Sequence, residues 1–131
     1  MIPENVACNA RNNNPGVICH IDQETEPNLF RNAEIDYKLH DITSASVLNI
    51  FKGRYNEFTP RSKRLVMNKD TKLLTYFTGH GGDGYIKIQD TTVIMDDEMR
   101  DVMSESYSKA TYSEALMISD SCGAATIFEK F

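Results

Sequence analysis

The chain has 131 residues, enough for one ordinary domain that buries roughly two thirds of the surface its unfolded form exposes. Fourteen basic against nineteen acidic residues leave a formal charge of −5, and with no basic face in evidence this argues against a nucleic-acid partner. Three cysteines, Cys8, Cys19 and Cys122, lack zinc-site spacing and are too few for a disulfide framework, and no stretch approaches the roughly 20 apolar residues of a membrane span.

Residues up to about Asn32 are rich in Asn, Pro and acidic groups and read mostly as surface loop, with one apolar patch at Val17, Ile18 and Cys19. Cys8 lies in the polar part and, taken alone, is an inert surface thiol as readily as a functional one. Cys19, between Ile18 and His20, reads as a small buried apolar residue. Glu34, Ile35, Asp36 and Tyr37 alternate polar with apolar, the period of a half-exposed strand. Such a strand would put Glu34 and Asp36 on one side, suited either to a hard cation such as calcium or to plain solvation.

A helix is expected from about Ser44 to Lys52, with Thr43 as its N-cap, Gly53 as its stop and Val47, Leu48 and Phe51 on its buried face. Lys52, Arg54, Arg61, Lys63 and Arg64 follow around the helix-breaking Pro60. They read as a solvated loop or as a contact for an acidic or phosphate-bearing partner. Next, the run from Leu73 to Thr78 leads into Gly79, His80, Gly81 and Gly82. Tyr85 to Ile88 alternates and predicts a short hairpin-like strand. A second helix spans about Asp96 or Asp97 to Lys109, acidic in its first turn, with Met99, Val102 and Met103 facing the core. Finally, Ala115 to Ile118 leads into Asp120, Ser121, Cys122 and Gly123. His20 and His40 sit beside no comparable glycine turn and read as surface or structural residues.

Short, continuous apolar runs bounded by turn residues have the pattern of strands covered on both faces. Two of them around a helix form a strand, crossover, strand unit whose strands lie parallel, so both turns emerge at the carboxyl edge where open α/β sheets build their sites. His80 and Cys122 are thereby brought together. An imidazole beside a thiol can take its proton or stabilise the thiolate, and can later protonate a departing amine. The adjacent glycines let backbone amides approach a bound carbonyl, with Gly81 and Cys122 as the candidate oxyanion-hole donors.

These segments resemble a known family. Thr78 to Gly82 with Gly84 to Asp90 is similar to the histidine segment of the catalytic subunits of glycosylphosphatidylinositol (GPI) transamidases, a branch of the legumain and caspase group of cysteine peptidases. Asp120 to Cys122 with Phe128 to Phe131 resembles their cysteine segment. Ala7, Cys8, Asn9, Arg11, Asn12 and Pro15, and Thr59 to Leu65, resemble two upstream stretches in the same order. One departure is the Gly123, Ala124 pair after the cysteine, where the family usually has a bulkier polar residue and then glycine.

The resemblance implies one partial α/β domain over residues 1–131, a caspase-like, mostly parallel sheet flanked by helices and incomplete at both ends. It implies Cys122 as nucleophile, His80 as general acid/base, Asp120 near the pocket for the residue before the scissile bond, a structural calcium near Glu34 and Asp36, and a disulfide from Cys8 to another subunit. The implied reaction cleaves a C-terminal signal from a precursor protein through a thioester and passes the acyl group to a GPI lipid amine. Its setting is a multi-subunit complex on the lumenal side of the endoplasmic reticulum. The same dyad serves a legumain-like endopeptidase with water as acceptor, and an incomplete sheet is compatible with an inactive piece that keeps a subunit-binding surface.

Overall fold

Thr43 starts the first helix by a reciprocal exchange: its Oγ1 accepts from the Ser46 N–H at 3.1 Å while Ser46 Oγ accepts from the Thr43 N–H at 2.8 Å. In this computed structural model, which describes residues 6–20, 27–38, 41–89 and 92–131, helix α1 covers Ser44–Phe51 and stops at Gly53, whose φ of +63° is the left-handed turn expected there. Its buried residues are Val47, Ile50 and Phe51, so the face is rotated from the expected one and Ile50 takes the place of Leu48. Positions i, i+3 and i+4 form the stripe.

The chain divides into two units, Met1–Ile42 and Thr43–Phe131. The described part of the first is irregular apart from a short 3-10 turn at Val6–Cys8, and asparagines act as its staples. Asn12 Nδ2 donates to the Ala7 and Val17 carbonyls, both at 3.0 Å. Asn28 donates to the Gly16 carbonyl at 2.9 Å and accepts from the Ile18 and Phe30 amides. The expected strand at Glu34 to Tyr37 does not form. Asp36 sits in a bend, and among the described residues the segment pairs with no other strand. Alternation alone does not make a strand where the backbone finds no ladder partner.

The second unit carries the sheets. Strand β1 (Lys72–Gly79) pairs in parallel with strand β5 (Glu114–Ser121) without a slip, from Lys72 opposite Glu114 to Gly79 opposite Ser121. Between them run β2 (Gly81–Gly82), β3 (Tyr85–Gln89), β4 (Thr92–Met95) and helix α2 (Asp96–Ser108). β2, β3 and β4 form a separate antiparallel sheet in which Ile86 and Ile94, both buried, lie opposite each other. The fold is therefore mixed α/β with a parallel pair and two helices, as expected. β4 is an addition: its four residues abut the acidic start of α2 and carry too short a pattern to stand out.

Helix α2 is set by its first turn. Glu98 Oε2 accepts from the Met95 N–H at 3.0 Å, and three acidic residues face the positive end of the helix dipole. Met99, Val102 and Met103 are buried as anticipated, and Ser106 Oγ donates to the Phe51 carbonyl at 2.8 Å, pinning α2 to the end of α1. The helices cover one face of the β1–β5 pair. Phe51 meets Phe77 with ring centroids 6.4 Å apart. The opposite face is open, with Leu74 at 66% and Leu116 at 59% exposure, so the expectation of two covered faces is corrected.

Three of the basic residues that read as solvated have partners. Glu105 of α2 receives Arg54 at 2.6 Å, Lys52 at 3.3 Å and Lys109 one turn along the helix. Arg64 donates to the Thr59 carbonyl at 2.9 Å and lies 5.9 Å from the Tyr55 ring centre. Lys109 first, then Lys52 and Arg54, holds the Glu105 carboxyl down to about 2. A depressed acid stabilises the folded state above its ordinary value of 4.5 and loses that contribution as pH falls toward 2. Glu105→Gln is expected to lower the melting temperature at pH 7 by a few degrees, the cluster being solvent-screened, and to flatten the fall in melting temperature between those two pH values. Thermal melting against pH reads both.

Candidate active site at the strand tips

The two residues singled out by type and flanking glycines leave neighbouring strand ends in step. Gly79 and Ser121 are the last register partners of β1 and β5, and the next residues are His80 and Cys122, both exposed. Adjacent strands lie about 4.8 Å apart, so the parallel register delivers imidazole and thiol to one edge. Gly79 turns the chain with φ +139°, a conformation that suits glycine. The His80 carbonyl then accepts from the Lys87 N–H at 2.9 Å, fixing the turn against β3.

The two turns touch through glycine. A Cβ on Gly81 would lie 2.7 Å from the Cys122 carbonyl oxygen and 2.9 Å from Ser121 Oγ. A Cβ on Gly123, which has φ +64°, would lie 2.6 Å from the Gly82 carbonyl oxygen. Neither position has room for a side chain. Gly81 and Cys122, the expected oxyanion donors, are thus backbone neighbours, and the Gly123 that departs from the family pattern is the residue that closes the contact.

A strut unforeseen in the sequence holds the arrangement. Thr126, in the 3-10 segment Ala124–Phe128 that follows the cysteine, accepts from the Gly84 N–H at 2.7 Å and donates to the Gly123 carbonyl at 2.7 Å. One hydroxyl therefore bridges the histidine hairpin and the cysteine turn. Gly84 also accepts from the Asp96 N–H at 2.8 Å, and Lys130 pairs with Asp96 at 2.9 Å, which lowers the acidity constant of that mostly buried carboxyl. Thr126 sits four residues past Cys122, at a spacing that carries no recognised signal of its own.

Asp120 faces the open side of the sheet, exposed, and accepts from the Tyr76 hydroxyl at 3.1 Å. Glu34 and Asp36 belong to the first unit, exposed and half-buried respectively. Without a strand their shared face is absent. Among the described residues, no group of three or more His, Cys, Asp or Glu gathers in a way that could hold a metal ion, whereas calcium takes six to eight oxygens. Two carboxylates alone do not fit that ion, and no role is built on it. Cys8 is exposed, Cys19 is half-buried rather than fully enclosed, His20 is exposed, and His40 lies outside the described residues.

The whole chain, residues 1–131, matches the family described as Peptidase C13 family. It is similar to a GPI-anchor transamidase of Mus musculus, 36% identical across 100% of this chain and 33% of that protein. Similarity extends to GPI-anchor transamidase of Saccharomyces cerevisiae, 32% identical over 100% of this chain and 32% of the relative, and to a putative GPI-anchor transamidase of Drosophila melanogaster at 35%, 100% and 37%. The chain spans about a third of the length of these curated relatives.

If the glycine contact sets the site, its removal costs more than backbone conformation alone. Gly123→Ala is expected to destabilise the fold by about 3 kcal/mol, combining the left-handed penalty with a backbone collision. Gly53→Ala, with nearly the same φ but nothing within 4 Å, should cost only about 1 kcal/mol. Denaturant unfolding of both variants measures the difference.

Proposed function

This chain belongs to the peptidase C13 family, and from that premise we propose that it is the catalytic core of a GPI-anchor transamidase, acting through a Cys122 and His80 dyad. The observation that carries the reading is the slip-free register ending at Gly79 and Ser121, which sets the two reactive residues on adjacent strand tips. The names of its relatives support the reaction class.

His80 takes the thiol proton as Cys122 Sγ attacks the carbonyl carbon at the cleavage site of a precursor protein. The Gly81 and Cys122 amides receive the developing oxyanion. The carbon–nitrogen bond breaks, His80 returns its proton to the departing amine, and a thioester remains on Cys122. The amine of a GPI lipid then attacks the thioester while His80 accepts the amine proton and passes it to the leaving sulfur. An amide forms and free Cys122 is restored.

Asp120, two residues before the nucleophile, lines the pocket for the residue preceding the cleaved bond. The exposed Cys8 thiol is accessible for a disulfide to another subunit of a complex working on the lumenal side of the endoplasmic reticulum. Among the described residues no helix is long and apolar enough to cross a membrane.

The test is acylation of Cys122 by a peptide thioester with and without a primary amine. His80→Ala should slow acylation about a hundredfold or more, and saturating amine should divert the acyl group to an amide. Hydrolysis alone under saturating amine points instead to an endopeptidase using the same dyad. Equal, slow acylation of the wild type and His80→Ala, at the rate of a free thiol, leaves only a non-catalytic piece with subunit-binding surface.

A further inference from the structure

The open face of the β1–β5 pair holds one polar contact between side chains of the two strands near the site. Tyr76 stands opposite Ile118 in the register and Thr78 opposite Asp120, so the Tyr76 hydroxyl reaches diagonally, two residues toward the carboxyl edge, to donate to Asp120 Oδ2 at 3.1 Å. Tyr76 is 58% exposed and packs against no covering layer. An exposed hydrogen bond of this kind adds little to folding, yet it fixes a carboxylate two residues from the nucleophile.

We propose that Tyr76 is a positioning residue for Asp120, and that the pair selects substrates whose residue before the cleaved bond carries a neutral side-chain donor, such as Asn or Ser. The proposal rests on the reading of Asp120 as part of the substrate pocket. An ionised carboxylate is acceptor-only. With Oδ2 taken by the phenol, and with Oδ1 accepting from nothing else among the described residues, Oδ1 is the atom left to receive a substrate donor. An acidic side chain there meets like charge, and an aliphatic one leaves the oxygen unpaired. Hydrogen bonding to Asp120 also holds the phenol proton more firmly than usual, so the donor persists at neutral pH.

The test uses two peptidyl acyloxymethyl ketones, identical except for Asn or Leu at the last residue. Inactivation at Cys122 gives KI and kinact for wild type, Tyr76→Phe, Asp120→Ala, the double variant and His80→Ala, with thermal melting as the check on folding. Tyr76→Phe keeps the ring and removes only the hydroxyl. It should raise KI for the Asn peptide about fivefold, leaving KI for the Leu peptide and both kinact values within about twofold. Asp120→Ala should abolish the Asn preference, and the double variant should add nothing further, because Tyr76 acts through Asp120.

An unchanged Asn-to-Leu ratio in Tyr76→Phe overturns the proposal while leaving the dyad intact. So does a Tyr76→Phe effect that persists in the Asp120→Ala background. A preference that survives Asp120→Ala overturns the pocket role of Asp120 as well. Wild-type inactivation no faster than that of His80→Ala brings down the dyad itself and the proposal with it.

Discussion

Everything at the carboxyl edge depends on how closely two backbone turns approach. At Gly81 and Gly123 the facing atoms come nearer than any Cβ could tolerate, and only hydrogen at those positions lets the histidine hairpin lie against the cysteine turn. Glycine in such places carries an entropic cost in the unfolded chain. Here the cost is offset by a hydroxyl strut and a helix terminus acting on the same few residues. Thr126 ties Gly84 to Gly123, the Asp96 amide donates to Gly84, and Lys130 neutralises the carboxylate of Asp96. The turn after β5 and the start of α2 are thus locked to one hairpin, and the tips of β1 and β5 inherit that rigidity.

The scaffold is one-sided. Helices α1 and α2 seal one face of the parallel pair through Phe51, Phe77 and the methionines of α2, and the charge cluster on Glu105 joins the two helices at their ends. Leu74, Tyr76, Leu116 and Ile118 populate the other face and remain exposed. Asp120 shares that face, so the open side and the reactive edge are continuous. A site assembled on rigid strand tips, with access along an uncovered sheet face, suits an extended peptide approaching a nucleophile.

Much of this was legible from residue order alone. The runs at Leu73 to Thr78 and Ala115 to Ile118 gave strands in the right places, since β-branched and aromatic residues bounded by glycine or polar turns have few alternatives. The handedness and direction of a strand, helix, strand crossover then fixed a parallel pairing, and with it the neighbourhood of His80 and Cys122. Caps were equally plain at Thr43 and Gly53. What could not be read were features made by tertiary pairing. Glu34 to Tyr37 alternates like a strand yet has no ladder. β4 is brief and runs straight into a helix. Burial of the second sheet face depends on what packs there, which no periodicity encodes, and the partners of Arg54 and Thr126 lie 51 and 42 residues away in sequence.

The central claim is spatial, and a crosslink measures it. In a Cys8→Ser, Cys19→Ser background, His80→Cys places a second thiol opposite Cys122, and a disulfide needs Cα atoms about 4.4–6.8 Å apart. Mild oxidation should close that bridge quantitatively within single chains and raise the melting temperature. Two thiols that stay reduced, or that pair only between molecules, would contradict the account by showing that the tips of β1 and β5 do not meet.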